Sequence, residues 1–380
     1  MRHARFDSHR AVFTRPDALV SAVVAIPANN EEDEIGDCLA SLGRQSDSRD
    51  VGVVVFANNC TDGTFARAED ACRRHDLSAF LIDGVLKAAH AGIARRIALD
   101  HACAWLESQP VSNGLLLTTD ADSEPAHDWV ARNRASIAAG ADLVAGRIEL
   151  DPVDAASLPR ALQERGRLEE IYENQLTEVF SRLDPIPHDP WPRHAQEGGA
   201  SLAVRLSAYR SVGGLPEIPS GEDRALVSAI ERGGYRVRHD PSVVVKTSGR
   251  LIGRAHGGVA DTIRLRCDHP DAPCDPYLEP AVTAWRRGRI RSLLRRSNMD
   301  PDILRWIAAW ADLSRDDQRR FRCNRSFVAR WSLLEKRALK LQRSLLSPSR
   351  LPQQIIIAGR MLRNLRQSAS VPASIGLAAE

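Results

Sequence analysis

Short apolar runs alternate with helix-like segments over about the first 250 residues, and this order constrains the fold more than any other feature. Runs at 21–28, 51–57 and 80–84 are each followed by a segment with apolar residues at helical spacing, and further runs lie at 114–120 and 141–150. The repeated strand–helix order predicts an α/β fold with a mostly parallel central sheet flanked by helices. In such sheets, ligands bind beyond the carboxyl ends of the strands.

The C-terminal part of the chain differs from the rest in net charge. Residues 281–366 contain 21 Lys and Arg against 6 Asp and Glu, although the whole chain carries a formal net charge of only +3. A proline-rich stretch at 268–280 coincides with the change. We therefore expect a ligand-binding and catalytic domain at residues 1–270 and a basic, mainly helical C-terminal region at residues 271–380.

Several classes of protein are excluded by what the sequence lacks. No apolar run approaches the roughly 18 residues of a membrane-spanning helix, and the N-terminus has no apolar core of the signal-peptide type. The seven cysteines form no CxxC pair. Neither GxGxxG nor GxxxxGK[ST] occurs, which argues against a nicotinamide dehydrogenase or a P-loop ATPase. We expect a cytoplasmic protein with free thiols.

Polar residues follow three of the predicted strands, at 29–31, 58–62 and 120–122, so we expect them to meet at one site. Asp120 and Asp122 are separated by one residue and face the same way if the segment is extended. Carboxylate oxygens are the ligands that Mg²⁺ or Mn²⁺ prefers, and such an ion would neutralise a diphosphate. The alternative is that both aspartates only begin a turn.

An ordered set of motifs carries a family resemblance: PANNEE (27–32), ANNCTDGT (57–64), the segment containing Lys87, DAD (120–122) and GED (221–223). Over residues 20–255 this set resembles the GT-A family 2 glycosyltransferases. The resemblance implies a GT-A fold, which is Rossmann-like with a mostly parallel sheet, and the C-terminal helical extension lies outside it. It also implies metal-dependent, inverting transfer of a sugar from a nucleoside-diphosphate sugar, with a UDP-sugar favoured, to a hydroxyl acceptor.

The resemblance assigns roles to individual positions. The family usually has an aspartate that contacts the base at the position of Ala57 or Asn58, so either Asn58 makes that contact or the contact is lost. Asp223, with Glu222 beside it, would be the general base that deprotonates the acceptor hydroxyl. The remaining roles are a nucleotide pocket lined by Pro27, Asn29 and Glu31, a base or phosphate contact from Lys87, a ribose or metal contact from Asp120, and Mn²⁺ or Mg²⁺ binding by Asp122.

Other interpretations stay open at several positions. Ser220–Asp223 also matches the capping-box start of a helix, which would explain Asp223 without catalysis. His256 is either a further metal ligand or an ordinary loop histidine. On the acceptor side, Trp191 is a candidate for stacking on a sugar, and Gly199 and Ser201 are candidates for a close approach of the sugar to the backbone.

The arginine-rich C-terminal region has three interpretations. It pairs with the acidic part of the chain, makes a peripheral contact with anionic lipid, or binds nucleic acid. The first is the plainest, and we expect no nucleic-acid partner because no known module is present. Two further classes remain for the whole chain: a nucleotide-binding or scaffold protein with a degenerate site, suggested by Ala57, and a sugar nucleotidyltransferase, whose glycine-rich N-terminal loop is absent here.

Overall fold

The structure, a computed structural model, describes residues 6–15, 17–87, 90–110, 113–251, 253 and 258–369. Internal contacts divide the chain into a sheet unit, Met1–Pro159 with Arg193–Asp268, and a helical unit, Arg160–Pro192 with His269–Glu380. The predicted boundary after residue 270 falls close to the change of unit after Asp268. Residues 160–192 group with the helical unit although they precede that boundary.

The described part of the sheet unit contains one nine-stranded sheet in the order β1-β4-β3-β2-β5-β8-β7-β9-β6. Strands β2, β3, β4, β5, β7 and β9 run in one direction, and β1, β6 and β8 run in the other. The predicted α/β fold with a mostly parallel sheet is confirmed. The strands are β1 (Phe6–Thr14), β2 (Ala22–Ala28), β3 (Val51–Asn58), β4 (Ser78–Leu86), β5 (Leu115–Thr118), β6 (Ser123–Pro125), β7 (Leu143–Leu150), β8 (Leu202–Arg205) and β9 (Val237–Thr247).

Helices follow most strands and also form the C-terminal part of the chain. Among the described residues they are α1 (Ile35–Gly43), α2 (Thr64–Arg74), α3 (Ala91–Glu107), α4 (Trp129–Ala138), α5 (Pro152–Ser157), α6 (Arg160–Leu183), α7 (Leu206–Ser211), α8 (Glu222–Arg232), α9 (Val259–Asp268), α10 (Ala281–Arg296), α11 (Pro301–Trp310), α12 (Arg315–Cys323), α13 (Phe327–Arg337) and α14 (Leu351–Ala369). The helices predicted after β2, β3 and β4 are present as α1, α2 and α3.

The two faces of the sheet bury different side chains because alternate residues of a strand point to opposite faces. On β2, Val24 and Ile26 pack with residues of α1 and α2, whereas Val23 and Ala25 pack with residues of α3. All eight residues of β3 are buried, as expected for a strand covered on both faces. The core therefore has three layers, and the site must lie at an edge of the sheet rather than on a face.

Several elements of the sheet unit were not predicted, including β1, β6, α4, α7 and α9. The edge strand β1 pairs antiparallel with β4, the short strand β6 pairs antiparallel with β9, and α4 follows β6. Strand β6 has only three residues, too few for alternation to be recognised in a sequence. The capping-box interpretation of α8 was wrong. Its N-cap is Gly221, with φ of +75°, and no side chain caps the helix.

The helical unit has cores of its own. One lies between α10, α11, α12 and α13, and another joins α6 to α10 and α14. Its arginines find carboxylates within the unit: Asp184 accepts from Arg295 at 2.7 and 3.0 Å, and Glu178 accepts from Arg366. Both acceptors precede residue 281 and so belong to the more acidic part of the chain.

No helix within the described ranges is both long enough and apolar enough to cross a membrane.

Candidate functional site

The carboxyl ends of β2, β3 and β5 lie side by side because these strands are parallel neighbours. Residues that follow them along the chain therefore meet at one edge of the sheet. The Asn29 side chain donates to the backbone oxygen of Asn58 at 2.8 Å, which joins the loops after β2 and β3. The predicted convergence of the 29–31 and 58–62 segments thus appears as a direct contact.

The side chain of Asn58 is hydrogen-bonded to the backbone of the neighbouring strand β2. The residue is 6% exposed, and its Nδ2 donates to the backbone oxygen of Ala28 at 2.9 Å. Ala57 is fully buried. The amide nitrogen of Asn58 therefore holds β2 to β3, and a base contact from Asn58 would have to use its Oδ1.

The loop after β3 is fixed by the loop after β2. Asn30 accepts from the backbone N–H of Thr61 at 2.7 Å, and Glu32 accepts from the backbone N–H of Gly63 at 2.9 Å. Asp62 accepts from the backbone N–H of Thr64 at 3.1 Å. These bonds give Thr61, Asp62 and Gly63 a structural part in shaping the loop.

Asp120 and Asp122 follow β5, and the side chain between them, Ala121, is buried in the core. Asp120 is the more open of the two, with 34% of its side chain exposed against 17% for Asp122. Each uses one oxygen to bind an arginine: Asp120 Oδ1 lies 2.6 Å from Arg95 Nη2, and Asp122 Oδ2 lies 2.8 Å from Arg250 Nη2. The other oxygens, Asp120 Oδ2 and Asp122 Oδ1, are not the atoms that contact these two arginines.

The electrostatics of Asp122 reflect crowding by negative charge. Burial raises its pKa most strongly, the neighbouring Asp120 raises it further, and Arg250 opposes both, with a resulting pKa of about 7. A carboxylate in this setting is stabilised by any additional cation.

Arg250, just after β9, joins two of the predicted site residues. It donates to Glu31 through both terminal nitrogens, at 2.7 and 2.6 Å, and it also lies against Asp122. Burial alone would lower the pKa of Arg250, but the carboxylates of Glu31 and Asp122 raise it above its ordinary value. The guanidinium is therefore permanently charged.

Arg95 occupies the interior of the site. Its side chain is 7% exposed and lies between Asp120 and Glu222, with Nε 3.3 Å from Glu222 Oε1. Burial opposes its charge, yet Asp120 and Glu222 raise its pKa above the ordinary arginine value. Its remaining bonds reach Thr118 Oγ1 and the backbone oxygen of Gly199, each at 3.0 Å.

Arg95 was not among the residues predicted from the sequence, although its position on α3 carried a signal. In α3, Arg95 shares a helical face with Leu99, Ala102 and Leu106, all of which are buried. An arginine on an apolar stripe must have buried partners, because an unpaired buried charge is too costly. The sequence could have indicated that Arg95 is paired, but not with which residues.

Asp223 and Glu222 begin α8 and have different environments. Glu222 is 6% exposed and is bound to Arg95. Asp223 is half-buried, and its Oδ2 accepts from the backbone N–H of Gly199 at 2.9 Å while Oδ1 accepts from the N–H of Arg224. Asp223 is thus the carboxylate of this pair that solvent or a ligand can reach.

The other predicted residues lie in different surroundings. Pro27 is half-buried on β2 beside Phe56 of β3, and Lys87 is exposed just after β4. Ser201 is buried and accepts from Trp129 Nε1 at 3.0 Å, so its hydroxyl is held in the core. Trp191 is 40% exposed and belongs to the helical unit. His256 lies outside the described residues.

A divalent cation fits the donor chemistry of Asp120 and Asp122. Within the described ranges, no group of three or more His, Cys, Asp and Glu residues could hold a metal by itself. Mg²⁺, however, is commonly held by one or two carboxylates together with substrate phosphates. The second oxygens of Asp120 and Asp122 and the raised pKa of Asp122 match that type of site.

The fold and the site define an α/β protein with a carboxylate pair at the ligand-binding edge of its sheet. Residues 23–190 match the family described as Glycosyl transferase family 2. The recognition made from the sequence is confirmed, and the chain carries a glycosyltransferase domain. No match was found among the curated proteins.

Many solved structures resemble the chain at low identity, among them three with bound ligands. Mannosyltransferase PcManGT from Pyrobaculum calidifontis, in complex with GDP-Man and Mn²⁺, is 17% identical with a TM-score of 0.45, over 94% of this chain and 77% of that one. TarS 1–349 from S. aureus, in complex with UDP-GlcNAc, is 15% identical with a TM-score of 0.43, over 92% and 91%.

The third is glucosyl-3-phosphoglycerate synthase from Mycobacterium tuberculosis, in complex with Mn²⁺, uridine-diphosphate and phosphoglyceric acid. It is 18% identical with a TM-score of 0.38, over 67% of this chain and 81% of that one. With TM-scores below 0.5, none of the three decides the donor, metal or acceptor of this chain.

Proposed function

We propose that the protein is an inverting, metal-dependent glycosyltransferase that moves a sugar from a nucleoside-diphosphate sugar, with a UDP-sugar favoured, to a hydroxyl acceptor. One observation carries the proposal. In a family 2 glycosyltransferase domain, the carboxylate pair Asp120 and Asp122 lies at the ligand edge of the sheet, and Asp120 is connected through Arg95 and Gly199 to the accessible carboxylate of Asp223.

The donor side of the site consists of the loops after β2, β3 and β5. Pro27, Asn29 and Glu31 line the nucleotide pocket, and Asn58 Oδ1 contacts the base. Lys87, exposed just after β4, approaches the base or the phosphates. Donors with a uracil base suit an amide oxygen, which accepts from the N–H of the base edge.

Asp120 and Asp122 would hold Mn²⁺ or Mg²⁺ through the oxygens that do not face Arg95 and Arg250. When bound, the ion supplies positive charge to the leaving diphosphate. Asp120 keeps its place because Arg95 holds the other oxygen, and Asp122 keeps its place through Arg250. The two arginines also limit the repulsion between the carboxylates before a ligand arrives.

Asp223 acts as the general base. Its two oxygens each accept one backbone N–H, which leaves a lone pair on each for the proton of the acceptor hydroxyl. As that proton moves to Asp223, the acceptor oxygen forms a bond to the anomeric carbon, and the bond from that carbon to the diphosphate oxygen breaks. Attack from the side opposite the leaving group inverts the anomeric configuration. Glu222 has a supporting part because Arg95 holds it in the interior.

One observation favours a second candidate, a nucleotide-binding or scaffold protein with a degenerate site. Ala57 stands where the resemblance implies an acid, and the amide nitrogen of Asn58 is committed to the framework. Such a protein would bind a nucleotide without turning over a sugar donor.

Calorimetric titration with UDP, GDP, ADP and dTDP, each with and without Mn²⁺, tests the proposal. We expect one nucleoside diphosphate to bind, and to bind much more tightly when Mn²⁺ is present. A chain that binds none of them under either condition is not the enzyme proposed here. If the protein binds a nucleoside diphosphate but does not cleave the corresponding nucleotide-sugar, the result would fit the scaffold candidate.

A further inference from the structure

Arg95 makes bonds on both sides of the site from one buried position. Nη2 donates to Asp120 Oδ1 at 2.6 Å on the donor side, and Nε lies 3.3 Å from Glu222 Oε1 at the start of α8. Nη1 donates to Thr118 Oγ1 on β5 and to the backbone oxygen of Gly199. One planar group thus joins α3, β5, the turn at Gly199 and α8.

The backbone of Gly199 carries this connection to the general base. Its carbonyl oxygen accepts from Arg95 at 3.0 Å, and its N–H donates to Asp223 Oδ2 at 2.9 Å. A Cβ on Gly199 would lie only 2.5 Å from Arg95 Cζ, so a side chain here would displace the guanidinium. The guanidinium therefore rests directly against the segment that orients Asp223.

The contacts of Arg95 require the planar shape of a guanidinium group. A guanidinium presents five N–H donors in fixed directions, whereas an ammonium is a compact point charge. Lysine at this position could keep the positive charge near Asp120, but it could not reach Asp120, Glu222 and Gly199 together. The arrangement is specific for the shape of arginine and not only for its charge.

We propose that Arg95 is a positioning residue that fixes the donor-side carboxylate Asp120 and the base Asp223 in a single geometry. This inference rests on the glycosyl transfer proposed above. Arg95 acts through Asp120 and Gly199 and contacts neither the sugar nor the acceptor. Its loss should misplace the reacting groups relative to each other while most donor contacts remain, and a shift of about 1 Å between reacting groups costs about 100-fold in rate.

The experiment compares Arg95→Lys and Arg95→Ala with the matched control Arg96→Ala. Arg96 is the next residue of α3 and is also partly buried, but it donates to Asp100 and to the backbone oxygen of Leu215, away from the site. We expect Arg95→Lys to lower kcat about 100-fold and to leave the donor KM and the Kd for the Mn²⁺–nucleotide complex within about threefold. Arg96→Ala should keep kcat within about threefold even if it lowers Tm.

Chemical rescue separates positioning from support of the fold. Guanidinium added at low, non-denaturing concentration should raise the kcat of Arg95→Ala at least about tenfold. It should leave the kcat of Arg96→Ala unchanged. Gly199→Ala provides a second variant in case Arg95→Ala does not fold. It retains the guanidinium but displaces it, and it should lower kcat without gaining from added guanidinium.

Each result has one meaning. Equal loss of kcat in the Arg95 and Arg96 variants, in proportion to their loss of Tm, would show that Arg95 only supports the fold. Wild-type kcat in Arg95→Lys, or a loss confined to KM, would also overturn the inference. If the wild-type chain binds the Mn²⁺–nucleotide complex but turns over no donor, the proposed function fails, and the inference fails with it.

Discussion

Arg250 and Glu31, which are 219 residues apart in the sequence, form a bidentate ion pair with nitrogen–oxygen distances of 2.7 and 2.6 Å. The pair ties the segment after β9 to the loop after β2, and Asp122 lies against the same guanidinium. Glu31 is thus both a candidate wall of the nucleotide pocket and a structural anchor. Measurements of ligand binding and of stability can distinguish these two roles of Glu31.

Glu31→Gln should destabilise the fold. The amide can accept only one of the two bonds from Arg250 and carries no charge, so we expect the free energy of unfolding to fall by about 2 kcal/mol. Denaturant unfolding at neutral pH measures the change. Glu32→Gln is the control, because Glu32 is exposed and its bond from the backbone N–H of Gly63 survives in glutamine. Equal stability of the two variants would show that the Arg250 pair contributes nothing.

Asp122→Ala should act on ligand binding. We expect the Kd of the nucleoside diphosphate in the presence of Mn²⁺ to rise more than about tenfold, since even outer-shell partners of metal ligands cost 10–100-fold when removed. Without Mn²⁺, variant and wild type should bind alike. Asp128→Ala is the control, because Asp128 lies just before α4 and its carboxylate pairs with Arg132 of that helix. Unchanged Mn²⁺-dependent binding in Asp122→Ala would place the ion elsewhere.

Glu178 makes the stability of the chain depend on pH. Its pKa is lowered, first by the bond from Arg366, against the opposing effect of burial. A carboxyl whose folded pKa is depressed contributes stability above its unfolded pKa, about 4.3, and loses that contribution as pH falls through the folded value. We therefore expect the unfolding free energy to fall less steeply between pH 5 and pH 3 in Glu178→Gln than in wild type.

At neutral pH, Glu178→Gln should be less stable by only about 1 kcal/mol, because Arg366 is 56% exposed and solvent screens the pair. Glu164→Gln on the same helix is the comparison. Glu164 pairs with Arg167 where both side chains are more than half exposed, so it should alter the acid slope much less. An acid slope in Glu178→Gln identical to that of wild type would contradict this account.

The sequence was sufficient for the order of strands and helices from β2 to β5 because periodicity is a local property. Val53 and Val55 on one face of β3, and Val54 and Phe56 on the other, are recognisable as a strand buried on both sides. Strand β1 was harder, since FDSHRAVFT mixes charge with apolar residues, as edge strands do. Its place beside β4 depends on pairing with residues about 70 positions away.

The candidate site was only partly predictable, for a related reason. The ends of the strands and the spacing of Asp120 and Asp122 are local features of the sequence. They were therefore sufficient to predict that these residues lie at one site. The partners that hold them are distant: Arg95 meets Glu222 across 127 positions. The sequence also could not show that the amide of Asn58 is bonded to the framework, because that depends on how β2 and β3 pair.

The central claim is that Asp223 serves as the base for transfer from a nucleoside-diphosphate sugar, and one comparison tests it directly. Release of nucleoside diphosphate is followed for wild type and Asp223→Asn with Mn²⁺, the sugar donor of whichever nucleotide binds, and a panel of hydroxyl acceptors. Asp128→Asn serves as the surface control. Asparagine can still accept from the N–H of Gly199, so the fold and the nucleotide Kd should be retained. We predict that Asp223→Asn releases the nucleotide about 10²–10⁴-fold more slowly than wild type. Equal rates in the two proteins, at equal nucleotide binding, would contradict the account.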